Sequence, residues 1–165
     1  MEESIKVIVF RMNDQRYGVD VQEVISIEKL HHVTEVPQTS EFIKGVINLR
    51  GEIAPVIDLK ERLALGQTAY ADQSRYLIVS INDIKVSLMV DEATDVMDIN
   101  KDAVEPAPEV ISGVNKPFLR GVAKLEDELL VLLDVEHILN FDELNEVKEV
   151  VEEEVQDNGE NTGNR

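Results

Sequence analysis

Apolar and polar residues alternate in short runs along most of this chain, and turn residues separate the runs. Such alternation is typical of β-strands with one buried face. The runs predict a hairpin at 5–12 and 16–21, another at 43–49 and 53–58, a third at 76–81 and 84–90, and a fourth within 118–139. The stretch 22–27 is short and fits either a strand or a single helical turn, and 59–63 predicts a short helix.

This pattern of apolar and polar residues occurs twice along the chain. Residues 42–63 recur 76 positions later at 118–139, and seven of the twenty-two paired residues are identical. The identical pairs are Phe42 and Phe118, Gly45 and Gly121, Val46 and Val122, Leu49 and Leu125, Glu52 and Glu128, Asp58 and Asp134, and Leu63 and Leu139. Residues 12–24 also match 81–93, at an offset of 69, so the second copy should hold a longer loop between Glu92 and Phe118. Self-similarity over this length predicts two related halves.

These halves predict a mostly-β fold. Roughly ten short strands with regularly spaced turns indicate small barrels or a sandwich, and two five-stranded barrels from the internal repeat is the simpler solution. We expect the first barrel copy at about 5–65 and the second at about 76–140, joined by a small, polar connector at 64–74.

The amino-acid composition limits the kinds of core and of functional site that the protein can have. Of 165 residues, 43% are apolar but only 4% are aromatic, with no Trp, so the core must consist of Val, Ile and Leu. The chain has no Cys, which excludes disulfides, thiolate catalysis and Cys-ligated metal sites. Its first residues are acidic, unlike a signal peptide, and no apolar run approaches the roughly 18 residues of a membrane span. We therefore expect a soluble cytoplasmic protein without direct membrane insertion.

Charge is unevenly distributed. The net charge is −18, and residues 142–165 hold nine acidic residues against two basic ones. An acidic surface repels phosphate backbones, so nucleic acid is not an expected partner. We expect 142–165 to be an acidic tail, helical in part and disordered towards its end. Apolar residues at helical spacing predict that part of it lies against the body: Leu144, Val147, Val151 and Val155.

Three motifs carry a family resemblance. Tyr17-Gly-Val-Asp-Val precedes the segment 42–59, in which Asn48-Leu-Arg-Gly is followed by Pro55-Val-Ile-Asp-Leu, and Val90-Asp-Glu-Ala-Thr-Asp-Val comes later. Together they resemble the CheW family of bacterial chemotaxis coupling proteins, over about residues 5–140.

The resemblance implies a non-enzymatic adaptor without cofactor or metal. Its expected partners are the cytoplasmic hairpin tip of chemoreceptors and the regulatory domain of the histidine kinase CheA, in ring-forming arrays at the inner face of the membrane. It also implies that the two barrels at 1–141 are SH3-like, and members of the family can exchange terminal strands between barrels.

The residues and the resemblance both indicate one turn as a site. The first copy has Arg50 in its hairpin turn where the second has Glu126, and the planar fork of Arg suits a carboxylate or carbonyl pair on a partner helix. The resemblance places this Arg in the receptor groove. The expected receptor-binding residues are Val24, Ser26, Val46, Asn48, Leu49, Arg50 and Gly51.

Two further expectations concern partner contacts. Ser26 departs from the acidic residue that the family often has at this position, and Glu23 and Glu28 flank it as substitutes for the charge. We expect kinase contacts in the second barrel at Leu88, Met89 and Val90.

Other candidates favour structural roles. His31 and His32 are adjacent in an extended segment and point to opposite faces, and we expect His137 to be a structural or surface residue too. Asp58 and Asp134 occupy equivalent positions before a helical turn, where Asp commonly caps. The alternative function is a small-ligand-binding β-barrel or an enzyme that uses Asp and His, and it predicts a concave pocket with convergent polar groups.

Overall fold

A computed structural model describes residues 3–36 and 40–163, the last stretch, 153–163, in its backbone only. The strands are β1 (Ser4–Met12), β2 (Gln15–Asp20), β3 (Val24–Lys29), β4 (Ile43–Leu49), β5 (Glu52–Asp58), β6 (Arg75–Ile81), β7 (Ile84–Val90), β8 (Glu92–Asn100), β9 (Val104–Glu105), β10 (Val110–Ile111), β11 (Val114–Asn115), β12 (Leu119–Lys124) and β13 (Leu129–Leu133). The helices are α1 (Leu59–Arg62) and α2 (Phe141–Gly163). The predicted mostly-β class is confirmed.

The four predicted hairpins are present as β1–β2, β4–β5, β6–β7 and β12–β13. The ambiguous stretch 22–27 contains both predicted alternatives. A 3-10 turn at Val21–Glu23 is capped by the Asp20 side chain, which accepts a hydrogen bond from the backbone of Gln22. The edge strand β3 follows it directly.

The two large sheets mix the two repeat copies. One has the order β8-β1-β2-β13-β12-β9, and the other has the order β3-β6-β7-β5-β4. The first hairpin of each copy therefore pairs with the second hairpin of the other copy, through the parallel contacts of β2 with β13 and of β7 with β5. The five-stranded sheet takes all its strands from the continuous stretch 24–90, which contains parts of both copies, whereas the six-stranded sheet combines β1 and β2 with strands from 92–133.

In each sheet, one stretch of chain connects the two edges. After β8, the turn Lys101–Ala103 leads into β9, which pairs with β12 on the opposite edge. After β3, the chain reaches Thr34, whose backbone N–H and carbonyl both bond to Val46 of β4 at 2.9 Å. The two sheets thus repeat the same arrangement, with Thr34 in the place of β9.

This arrangement explains why glycine is repeated at Gly45 and Gly121. A Cβ on Gly45 would lie 2.1 Å from the carbonyl oxygen of Thr34, and one on Gly121 would lie 2.8 Å from that of Glu105. Real Cβ atoms do not approach so closely. Glycine is therefore required where the connecting stretch crosses the edge strand.

Aliphatic residues form the core, as composition predicts. The largest cluster spans both halves and includes Phe10, Tyr17, Leu77 and Leu133. A second cluster lies within the five-stranded sheet around Ile47, Val56 and Tyr76, and a third within the six-stranded sheet around Val9 and Leu132.

Arg62 joins the halves at their junction. Its guanidinium lies 5.0 Å from the ring centre of Phe42 and 4.8 Å from that of Phe118, the two equivalent Phe residues of the repeat. Its Nε donates to the carbonyl of Ile138 at 2.7 Å, and its Nη2 donates to Glu143 at 2.8 Å. One cation is thus shared by both copies and by α2.

Helix α2 lies against the body through its first turns. Val147 and Val150 are buried, and the Glu146 carboxylate accepts from the backbone and hydroxyl of Ser40. Leu144 packs against the main cluster. The spacing that predicted this contact also includes Val155, whose side chain lies outside the described residues.

Candidate functional site

The β4–β5 turn holds Arg50 in a defined backbone conformation. Arg50 has φ of 50° and Gly51 has φ of 91°, both in the left-handed region. The side-chain oxygen of Asn48 accepts from the backbone N–H of Gly51 at 2.8 Å. Asn and Gly are suited to such tight reversals, whereas a left-handed Arg is uncommon.

Arg50 pairs with Glu28 across the two edges of the five-stranded sheet. Glu28 lies on β3 and Arg50 follows β4, and these strands form opposite edges. Oε2 of Glu28 accepts from Nη2 of Arg50 at 2.8 Å and from Nη1 at 3.3 Å. The Arg50 side chain is 71% exposed, whereas that of Glu28 is only 15% exposed. The carboxylate is thus a largely covered anchor for an exposed cation.

Two apolar side chains of β3 are exposed near this ion pair, Ile25 at 51% and Ile27 at 42%. Ile27 precedes Glu28 in the strand and therefore points to the opposite face. Ile25, Ser26 and Arg50 line a shallow groove. We call the set of Ile25, Ser26, Asn48, Arg50 and Gly51 the Arg50 surface.

Packed residues support the Arg50 surface from below. Leu49 and Tyr76 belong to the cluster inside the five-stranded sheet, and Tyr76 pairs with Glu28 across β3 and β6. Burial raises the pKa of Tyr76 to about 12, so its hydroxyl stays neutral. At the rim of the groove, Lys85 of β7 pairs with Glu52 of β5.

The predicted receptor residues divide into two groups. Asn48, Arg50 and Gly51 are exposed, and Ser26 is partly exposed. Val46 and Leu49 are buried, and Val24 packs against the main cluster. A direct contact through Val46 is incompatible with this conformation, because the stretch at Thr34 pairs with that residue.

The predicted kinase residues need correction. The side chains of Leu88, Met89 and Val90 are each 0% exposed. They lie on β7, which is hydrogen-bonded to β6 on one side and to β5 on the other. Because both faces of this strand are covered, these side chains offer no surface to a partner, and we place no kinase contact there.

Ile25 is absent from the predicted site. Its apolar character was visible, but the stretch 22–27 fitted a helical turn as well as a strand, and the pattern does not show the bulge between Val24 and Ser26 at which Ile25 lies. For Glu28, the sequence offered it only as a neighbour of Ser26, together with Glu23. Its contact with Arg50 depends on how the sheet brings its two edges together.

Glu23, the other acidic residue that flanks Ser26, faces the six-stranded sheet. Its carboxylate lies 3.8 Å from Arg120 of β12. The pKa of Glu23 is raised, mainly by burial. The charge of Arg120 lowers this pKa, and three acidic neighbours raise it further: Asp20, Asp134 and Glu136. Glu23 is therefore part of the junction between the halves and does not pair with Arg50.

The two repeated Asp residues differ in their contacts. Both donate their backbone N–H to the equivalent Phe, Asp58 to Phe42 and Asp134 to Phe118. Asp58 caps α1 weakly at 3.4 Å and accepts two shorter bonds from Thr68. For Asp134 the capping prediction is wrong, because its carboxylate contacts the ring of His137 at 2.7 Å instead.

A concave pocket does exist beside Asp58, with His31, Lys44 and Tyr70 in its lining. Two of its charged groups are engaged within the chain, since Asp58 is bonded to Thr68 and Lys44 pairs with Glu61. Among the residues whose side chains are described, 3–36 and 40–152, no cluster of three or more His, Asp or Glu residues could hold a metal ion. Across 3–36 and 40–163, no helix has the length and apolar character needed to cross a membrane.

Comparison with known families and curated proteins gives consistent matches. A model of the CheW-like domain matches residues 6–143. The chain is 39% identical over 135 residues to the chemotaxis protein CheW of Bacillus subtilis, which covers 82% of this chain and 86% of that protein. It is 33% identical over 141 residues to the chemotaxis protein CheW of Helicobacter pylori, covering 86% and 85% of the two.

A solved structure agrees with these matches. The scaffolding protein TtCheW from Thermoanaerobacter tengcongensis superimposes with a TM-score of 0.78 at 35% sequence identity, over 86% of this chain and 91% of that one. The family match ends at residue 143, so most of α2 lies beyond it.

Proposed function

Because the chain belongs to the CheW family of chemotaxis scaffold proteins, we propose that it couples chemoreceptor cytoplasmic tips to the regulatory domain of the histidine kinase CheA. On this proposal it is an adaptor without catalytic activity. It works in the cytoplasm at the inner face of the membrane, within ring-forming receptor arrays.

We propose the Arg50 surface as the receptor contact. The observation that supports it most is the exposed Arg50 guanidinium, anchored on Glu28, in one groove with the exposed Ile25. A receptor tip is a helical hairpin, and an amphipathic helix offers apolar side chains together with carboxylate or carbonyl oxygens. Apolar contacts around one well-placed Arg are typical of energetically important interface positions.

We also infer that the two sheets are SH3-like barrels, one of five strands and one of six. The inference is supported by the stretches that connect the edges of each sheet, through β9 in one and Thr34 in the other. Glycine at both crossings, Gly45 and Gly121, permits the close approach that closure needs. Rigid barrels would hold the two partner surfaces at a fixed separation, as a coupling protein requires.

The proposal is tested by calorimetric titration with a receptor-tip hairpin and, separately, with the CheA regulatory domain. Wild type should bind both. Arg50→Asp should weaken receptor-tip binding by about tenfold or more and leave kinase binding within about twofold, because it removes a donor fork and introduces repulsion.

A matched control replaces a basic residue by Asp in the equivalent hairpin of the other repeat copy. Lys124 occupies the position equivalent to Asn48, and its side chain is 63% exposed in a pair with Glu105. Lys124→Asp should bind both partners like wild type, with circular dichroism confirming that each variant is folded. If folded wild type binds neither partner, or if both variants lose the same affinity, the proposed receptor contact is wrong.

A further inference from the structure

Glu28 has an unusual place in the Arg50 surface. Its side chain is 15% exposed, although it belongs to an edge strand whose neighbours Ile27 and Lys29 are exposed. One oxygen, Oε2, receives both contacts from Arg50, at 2.8 Å and 3.3 Å. A largely covered carboxylate is a more rigid anchor than a solvated one, because packing restricts its rotamers.

The geometry leaves donors available on Arg50. A guanidinium carries five N–H groups in a fixed plane. Glu28 engages the two terminal nitrogens through one of its oxygens, while most of the Arg50 side chain is in solvent. Glu28 thus holds the Arg50 guanidinium on one side, and the remaining N–H groups can donate to a carboxylate or carbonyl of a partner.

We propose that Glu28 is a positioning residue, which fixes the Arg50 guanidinium before the partner helix arrives and so raises affinity for it. This inference rests on the proposed function, because Arg50 must itself contact the receptor tip. A free Arg side chain loses rotamer freedom on binding, and prior ordering removes part of that cost. Glu28 also supplies the acid next to Arg50 that Ser26 does not provide.

Simple electrostatics predicts the opposite sign. If Glu28 acted only through its charge, its removal would free the positive charge of Arg50 and strengthen the attraction of acidic groups. Positioning predicts that its removal weakens binding although the site becomes more positive. The direction of the effect therefore separates the two explanations.

The test is a double-mutant cycle by calorimetry with the receptor-tip hairpin and the full chain. We expect Glu28→Gln to weaken binding by about three- to tenfold, and to have no effect in an Arg50→Ala background. Glu52→Gln is the matched control, since Glu52 is an acid that pairs with Lys85 in the same groove and its side chain is 62% exposed. It should bind within about twofold of wild type.

Three outcomes would overturn the inference. If Glu28→Gln strengthens binding, Glu28 acts as a charge only. If it weakens binding equally with and without Arg50, Glu28 acts through the strand and does not position Arg50. If Arg50→Ala itself binds like wild type, the proposed receptor contact fails, and the positioning role fails with it.

Discussion

The two copies of the repeat end in hairpin turns that differ in a defined way. In the first, Arg50 pairs with Glu28 of the edge strand. In the second, the equivalent turn carries Glu126, and the residue in register with Glu28 is Met97, since each lies opposite equivalent residues of the neighbouring strand. The polar pair of the first turn therefore has no counterpart in the second.

The ion pair behind each turn, however, is kept. Lys85 pairs with Glu52 behind the first turn, and Arg16 pairs with Glu128 behind the second, at equivalent repeat positions. A contact present in both copies serves their common architecture. A contact present in only one copy is not required by that common architecture, and the exposure of Arg50 makes a partner site the use that we propose for it.

The largest expected effect tests the architecture that the copies share. Gly45→Ala should lower the free energy of unfolding by about 3 kcal/mol or more, because the new Cβ would overlap the Thr34 carbonyl at a φ of 145°. Gly121→Ala, with its contact at 2.8 Å, should cost about 1–3 kcal/mol. Urea unfolding followed by circular dichroism measures both.

Gly51 supplies the control for backbone strain alone. It also has a positive φ, 91°, but a Cβ there would meet nothing within 4 Å. Gly51→Ala should therefore cost only about 1 kcal/mol. Equal losses for Gly45→Ala and Gly51→Ala would show that contact with the connecting stretch is not the reason for the repeated glycine.

Local patterns made the hairpins and the repeat predictable. Alternation with period two depends on a few neighbouring residues, so β1–β2 and β4–β5 are visible in the sequence. The glycine repeat was visible too, but its cause was not, since it lies in a contact with Thr34 from elsewhere in the chain.

The candidate site was predictable only in part. Arg50 stood out as a charge difference between copies, whereas Glu28 reaches it from the opposite sheet edge, a contact that no linear spacing encodes. The residues that the sequence predicted for kinase contact, Leu88 and Met89, are buried, and the sequence did not show this for a related reason. An apolar run cannot show whether a strand has one face exposed or both faces covered.

A second prediction concerns the asymmetric junction, where Arg62 stands at the repeat position of Ile138. Arg62→Met should lower the free energy of unfolding by about 2–3 kcal/mol, because it leaves Glu143 without its cation and removes contacts with Phe42 and Phe118. Thermal unfolding measures the loss.

The exposed pair of Lys124 and Glu105 is the comparison for this variant. Lys124→Met should change stability by about 0.5 kcal/mol or less, since exposed ion pairs contribute little. A similar loss in both variants would mean that Arg62 is an ordinary surface charge and that the junction does not depend on it.

The smallest effect is pH-dependent and compares Glu23 with its repeat equivalent, Glu92. Glu92 lies 2.9 Å from Arg11, whereas Glu23 has a buried oxygen without a hydrogen-bond partner and a pKa raised mainly by burial. A raised pKa favours the protonated form in the folded state. The stability that this group contributes is therefore present below its ordinary pKa of 4.5 and is lost as pH rises through the folded pKa.

Glu23→Gln should therefore raise the melting temperature at pH 7 by about 1–2 °C, and the gain should vanish near pH 4. Glu92→Gln should bring no such gain, and a pH-independent effect of Glu23→Gln would show that ionisation of this carboxyl does not strain the junction.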